Sequence, residues 1–216
     1  MFTGIIEEVG IVKSIKRKSG GLIIEILAPK STDELKIGDS VAINGVCQTV
    51  ISKMKNSFFV EAVEETLKKT TFKALKNLVR VNIELPLRLN ERIGGHMVLG
   101  HVDATGRIEK IQKKKNSWIY SLSYPKIFSK YVIPEGSIAI DGVSLTIASF
   151  AKNEIVISII PHTMKNTIFS DYKVGSTVNL EFDVIGKYIE RLTGTEQKSK
   201  AIQSWATENK LRNLGF

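Results

Sequence analysis

The chain has 216 residues, with 31 Lys and Arg against 22 Asp and Glu, for a formal charge of +9. At 43% hydrophobic and 25% charged residues it can bury one or two cores, and disorder is disfavoured. No stretch reaches the roughly 20 apolar residues of a membrane-spanning helix, and the opening residues have neither the basic nor the apolar region of a secretory signal, so a cytoplasmic protein is expected. The single cysteine, Cys47, can form neither an internal disulfide nor a multi-cysteine zinc site. The basic runs Lys16-Arg17-Lys18, Lys68-Lys69 and Lys113-Lys114-Lys115 are short, scattered and poor in neighbouring aromatics. They read as solvated hairpin ends rather than a nucleic-acid face, and neither nucleic acid nor a membrane is expected as a partner.

The chain is written twice. Gly4 and Gly10 recur as Gly100 and Gly106, and Pro29-Lys30 recurs as Pro125-Lys126. One inserted residue then shifts the register, after which Ser40-Val41-Ala42-Ile43-Asn44-Gly45-Val46 matches Ser137-Ile138-Ala139-Ile140-Asp141-Gly142-Val143. The new register holds through Thr49 and Thr146, Thr66 and Thr163, Thr70 and Thr167, Phe72 and Phe169, Asn82 and Asn179, and Glu84 and Glu181. Such long self-similarity marks a duplicated domain, each copy being about 90 residues and near the lower limit of self-sufficiency.

In chain order, the first copy offers short Val-, Ile-, Phe- and Thr-rich runs at 22–27, 40–43, 57–63 and 79–85, broken by Gly, Asn and Asp. Asn44-Gly45 and Asp141-Gly142 are the strongest hairpin signals, because tight primed turns need residues that tolerate positive φ. A short helix is predicted over 64–75 and at its counterpart, and a longer one near the C-terminus, where Tyr188, Ile189 and Leu192 share a face. The fold class is all-β, with two similar antiparallel barrels in tandem and a C-terminal α-helix, closure being the usual way for a short sheet to hide its edges. The expected domains are 1–96, 97–186 and a helical 187–216 for oligomerisation, to which Ile202, Trp205 and Leu211 would contribute, the alternative being a helix folded back on its own barrel.

After the two turns, Cys47 and Thr49 correspond to Ser144 and Thr146. On a strand, Val143, Leu145 and Ile147 take the core side and leave Ser144 and Thr146 together on the other. An isolated Ser-x-Thr is ordinarily a solvated strand face, but a thiol at the serine-equivalent position suggests two copies that diverged around a shared pocket. Of the three histidines, His96 and His101 lie in the Gly-rich stretch 94–101. Their spacing puts them on opposite faces of a strand, no third ligand is evident, and no metal site is expected. A histidine between glycines suits proton transfer, although a structural histidine is the commoner case. Phosphate-cradling and nucleophile-elbow motifs do not occur.

Four segments then carry a resemblance across almost the whole chain: Met1-Phe2-Thr3-Gly4, Asn44-Gly45-Val46-Cys47-Gln48-Thr49, the Gly-Gly-His-x-x-x-Gly-His of 94–101, and Asp141-Gly142-Val143-Ser144-Leu145-Thr146. The sequence resembles the riboflavin synthase family of the two-repeat type. The resemblance implies six-stranded Greek-key barrels that each hold one lumazine, and a cofactor-free dismutation. In it, two molecules of 6,7-dimethyl-8-ribityllumazine exchange a four-carbon unit to give riboflavin and 5-amino-6-(D-ribitylamino)uracil. It also implies a homotrimer whose sites lie between the N-terminal barrel of one subunit and the C-terminal barrel of another, and it allows association with lumazine synthase. Stacking two substrates in one pose removes much of the entropic barrier.

The resemblance further implies that Gly4, Ile5 and Ile6 line the first pocket with Cys47, Gln48 and Thr49, and with Glu61, Ala62, Val63, Glu64, Glu65 and Thr66. The second pocket would be lined by Gly100, His101 and Val102, by Ser144, Leu145 and Thr146, and by Ser158, Ile159, Ile160, Pro161, His162 and Thr163. Phe2 would help to position substrate. His101 is expected as proton shuttle, Ser144 and Thr146 as hydrogen-bonding or nucleophilic groups, Cys47 as a supporting thiol and Asp183 as an orienting carboxylate. Glu135, in Pro134-Glu135-Gly136, stands among the substrate-binding positions where many members carry lysine. The alternative is a non-catalytic lumazine or flavin carrier of the same fold.

Overall fold

A computed structural model describes residues 1–18 and 20–193. The first copy forms β1 (Glu8–Lys18), β2 (Gly21–Leu27), α1 (Pro29–Glu34), β3 (Ser40–Ile43), β4 (Val46–Lys53), β5 (Ser57–Ala62), α2 (Glu64–Lys69) and β6 (Arg80–Glu84). The second forms β7 (Ala104–Lys113), β8 (Trp118–Ser123), β9 (Ser137–Ile140), β10 (Val143–Ala151), β11 (Glu154–Ile159), α3 (Pro161–Asn166) and β12 (Thr177–Phe182). Each set closes into an antiparallel barrel, in the order β1-β2-β5-β4-β3-β6 and, identically, β7-β8-β11-β10-β9-β12. Closure leaves no free sheet edge in either barrel.

Alternation along the strands fills each barrel. Val81 and Ile83 of β6 turn inward onto Ile24, Ile26, Val50 and Phe58, and Val178 and Leu180 of β12 do the same onto Ile108, Leu122, Ile147 and Ile157. Burying such a side chain contributes roughly 1.5–3 kcal/mol. The β3–β4 and β9–β10 hairpins turn as the sequence indicates, with Asn44 at φ 46° and Asp141 at φ 43°.

The helix expected over 64–75 is interrupted. α2 ends at Lys69, and a 3-10 turn occupies Thr71–Ala74. Thr70 between them is extended, its hydroxyl donating to Thr66 O at 2.7 Å and accepting from Phe72 N at 3.2 Å, so one side chain caps both pieces. The second copy repeats this at Thr167. Two of the three basic runs lie at hairpin ends, whereas Lys68 and Lys69 pair along α2 with Glu64 and Glu65, both at 2.8 Å.

The barrels are interlocked by their arms. The segment before β1 and the segment before β7 join through Phe2 N donating to Val98 O at 2.7 Å and Val98 N donating to Phe2 O at 3.1 Å. Phe2 and Val98 are buried with Ala42 and Ala139 between the barrels, so Phe2 is a packing residue here, not an exposed contact for substrate. Each arm then runs onto the opposite barrel. Ile6 packs against the second core and Val102 against the first.

Amides complete the seam. Asn82 Nδ2 donates to Asp141 O at 2.9 Å while its Oδ1 accepts from Ile168 N at 2.9 Å. Asn179 mirrors it, donating to Asn44 O at 2.9 Å and accepting from Thr71 N at 2.8 Å. Beyond the barrels α4 spans Val184–Thr193, starting at Val184 rather than Lys187, with Ile185, Tyr188, Ile189 and Leu192 exposed. Ile202, Trp205 and Leu211 lie outside the described residues. No helix among the described residues is long and apolar enough to cross a membrane.

Candidate functional site

Each barrel presents one candidate half-site, built on the strand that follows its Asn-Gly or Asp-Gly turn and walled by the arm of the other barrel. In the first, Cys47 N donates to Gly100 O at 2.9 Å. Cys47, Glu65, Thr66, Lys69, His101 and Val102 border a cavity of about 250 Å³. In the second, Ser144 N donates to Gly4 O at 2.8 Å. Close approach demands the glycines: a Cβ on Gly4 would lie 2.6 Å from Ser144 Cβ, and one on Gly100 2.5 Å from Cys47 Cβ. The arms are therefore exchanged relative to the expected grouping. Gly4, Ile5 and Ile6 belong with Ser144, and Gly100, His101 and Val102 with Cys47, because each arm crosses the seam before its own barrel begins.

The stretch 94–101 is an irregular strap rather than a strand, and the two histidines lie beside different strands, His96 at Ser144 and His101 at Cys47. His101 is exposed beside the Cys47 cavity. His96 is half-buried with its Nδ1 2.7 Å from Ser144 Oγ, and its Nε2 is buried without a hydrogen-bond partner among the described residues. Burial holds the His96 imidazole below the ordinary histidine range, opposed by the nearby charge of Asp183. Asp183 thus acts on the histidine that touches Ser144. A neutral imidazole beside a hydroxyl can take the hydroxyl proton or receive one from a carbon acid.

Other expected site residues divide by strand alternation. Thr49 and Thr146 are exposed on the same faces as Cys47 and Ser144. Gln48 takes the face of Val46 and Val50, its amide donating to Cys47 O at 2.6 Å. Ala62 and Ile159 are fully buried core residues, and Leu145 packs partly into the second core. Val63, Ile160, Pro161 and His162 are exposed with Ser158, and Thr163 is half-buried. Glu61 pairs with Lys18 at 3.0 Å, and Glu64 and Glu65 are the lysine-paired residues of α2. Glu135 is exposed at φ 58°, its N–H donating to Ile147 O at 3.2 Å, at the end of the β9–β10 hairpin away from Ser144. Among the described residues no group of three or more His, Cys, Asp or Glu could hold a metal ion.

The lumazine binding domain family matches this chain twice, at residues 3–86 and 99–183. Riboflavin synthase of Bacillus subtilis (strain 168) is 42% identical over 216 residues, covering 100% of both chains. The chain belongs to the riboflavin synthase family. The riboflavin synthase of Actinobacillus pleuropneumoniae is 44% identical over 191 residues, covering 88% of this chain and 89% of that one. LumP in complex with riboflavin superposes with a TM-score of 0.79 at 23% identity, covering 84% of this chain and 99% of that chain, a likeness of fold alone.

The motifs that linked the sequence to riboflavin synthase converge on the two half-sites, but they passed over two kinds of residue. His96 falls within the Gly-Gly-His-x-x-x-Gly-His segment, but the sequence gives it no chemical role and assigns the proton shuttle to His101. Glu84 and Glu181 stand in the sequence as a repeated pair, and a carboxylate kept in both copies after the same apolar-Asn-apolar run is the signal that something there must be satisfied.

Proposed function

We propose that the two half-sites each hold one 6,7-dimethyl-8-ribityllumazine and that the chain acts as a riboflavin synthase, a transferase moving a four-carbon unit between them. The products, riboflavin and 5-amino-6-(D-ribitylamino)uracil, together contain all the atoms of two substrates. The reaction therefore needs no oxidant, reductant or cofactor. The observation that carries the catalytic reading is Ser144 Oγ at 2.7 Å from a histidine whose imidazole burial holds below the ordinary histidine range. His96 takes the Ser144 proton as Oγ bonds to C7 of one lumazine, the displaced electron pair passing into the pteridine ring. His101, beside Cys47 in the other half-site, accepts a proton from the C7 methyl of the second lumazine, whose anion is delocalised. Thr146 and Cys47 supply hydrogen bonds.

The productive pair forms between the first barrel of one copy and the second barrel of another in a homotrimer. Exposed Val63 beside the first half-site and exposed Ile5 and Ile160 beside the second support this, as apolar rims suited to contact with another copy. The apolar residues exposed on α4 suit helix packing between copies. Leu192→Asp is then expected to lower the sedimentation mass from trimer to monomer, and an unchanged mass would count against the helix contact.

The deciding experiment incubates purified protein with 6,7-dimethyl-8-ribityllumazine alone, with chelator and without nucleotide, and separates the products chromatographically. Riboflavin formed with an equimolar amount of 5-amino-6-(D-ribitylamino)uracil is the expected result. Tight binding without turnover would overturn it and leave a carrier.

A further inference from the structure

Glu84 at the end of β6 and Glu181 at the matching place in β12 are both buried, and the chemistry above uses neither. Glu84 Oε1 accepts from Thr3 N at 2.6 Å and from Thr3 Oγ1 at 2.9 Å, and both of its oxygens accept from Gly4 N at 3.0 Å. Glu181 accepts from three successive amides, Leu99 N at 2.7 Å and Gly100 N and His101 N at 2.9 Å each. A run of converging N–H groups is a site for an anion, and only a carboxylate offers acceptors in enough directions to fill it. Glutamine, with one acceptor oxygen and an NH₂ group, would set donors against donors.

What each carboxylate holds is not part of its own barrel's half-site. Glu84 belongs to the first barrel, yet the arm it grips is bonded through Gly4 O to Ser144 of the second. Glu181 belongs to the second barrel, yet the arm it grips is bonded through Gly100 O to Cys47 of the first and carries His101. We propose that Glu84 and Glu181 are positioning residues that act across the seam, each fixing the wall of the half-site whose reactive strand lies in the other barrel. The proposal rests on reading the Cys47 and Ser144 strands as the two half-sites. Its consequence is that neither pocket is shaped by one barrel alone, and that a carboxylate in one copy of the repeat sets the geometry of the pocket in the other.

The single thiol makes this measurable without turnover. Cys47 is half-buried beneath the arm that Glu181 holds, so its alkylation rate by iodoacetamide reports that arm. In the full-length protein, Glu181→Gln is expected to raise the Cys47 alkylation rate about tenfold, as expected for loss of a charge-assisted hydrogen bond. Glu84→Gln, altered in the same barrel as Cys47, is expected to leave the rate within about twofold of the parent. Both variants should lose kcat, while Glu181→Asp, which keeps the charge, should restore part of both the kcat and the parent labelling rate. Should Glu181→Gln fail to fold, Glu181→Asp set against Glu84→Asp reads the contrast in the same direction at smaller amplitude. Equal acceleration in the two glutamine variants, or acceleration by Glu84→Gln alone, would overturn the proposal. A parent protein that makes no riboflavin but shows the crossed labelling pattern would sink the catalytic reading and leave this one standing.

Discussion

The proposed Ser144–His96 pair sits where the strap packs closely onto the Ser144 strand. A Cβ on Gly95 would lie 2.1 Å from Thr3 O and 2.7 Å from Ser144 Cβ. Backbone cannot yield that distance without moving, so Gly95→Ala is expected to push the strap off Ser144 and break the His96 contact. Its kcat should fall about as far as that of His96→Gln, by about 10²-fold or more, with a smaller change in KM. Steady-state kinetics on the two variants checks this, and a Gly95→Ala enzyme with parental kcat would refute the role of the strap. The charge of Asp183 raises the His96 pKa against the larger, opposite effect of burial. Removing it in Asp183→Asn should lower that pKa further, so the acid limb of the kcat/KM profile should move to lower pH. Sequence motifs reached Ser144 directly, because a polar pair after an Asp-Gly turn is a local pattern. His96 also lies in a motif, but its pairing with Ser144 is not legible there, since the contact is made by an arm crossing to a strand with which it shares no local spacing.

At the scale of elements, the arms depend on carboxylates that pay a desolvation cost. Burial pushes the Glu84 carboxyl up to about 7 from an ordinary 4.5, against the pull of its N–H donors. Burial likewise pushes Asp141 up to about 7, although Tyr172 and Asn179 donate to it. A carboxyl raised in the folded state keeps its proton over a pH range in which the unfolded chain has released it. The stability it contributes is therefore fully present below the unfolded value and lost as pH rises through about 7. Urea midpoints measured from about pH 5 to about pH 8 should fall, and the slope should shrink in Asp141→Asn and in Glu84→Gln. A slope unchanged in both variants would place the linked protons elsewhere. Strand alternation and the two turns were readable because they depend on neighbours one or two residues away. The break at Thr70 was not, since apolar spacing continues through it and only the double use of one hydroxyl ends α2.

Over the whole molecule, the duplication that was plain in the sequence explains the barrels but not their assembly. Aligning the copies assigns each arm to its own barrel, and the exchange of arms across the seam becomes visible only when the copies are packed together. Asn82 and Asn179 show what the repeat was conserving: each spends both ends of its amide on the opposite barrel. Asn82→Ala removes two such bonds and leaves Asp141 O and Ile168 N buried beside an apolar group. Leaving buried groups unsatisfied costs about 1–3 kcal/mol each, so a loss of about 2–6 kcal/mol is expected. The two asparagines meet the same pair of turns, so Asn82→Ala and Asn179→Ala are expected to be non-additive in a double-mutant cycle. Calorimetry is the more telling measurement. With the seam intact, arms and amides make each barrel part of the other, and the two should melt as one unit. With both amides removed, each barrel keeps its own apolar core while the link between them weakens, and the single transition should split into two. One sharp transition in the double variant would mean that the crossed arms alone hold the barrels together.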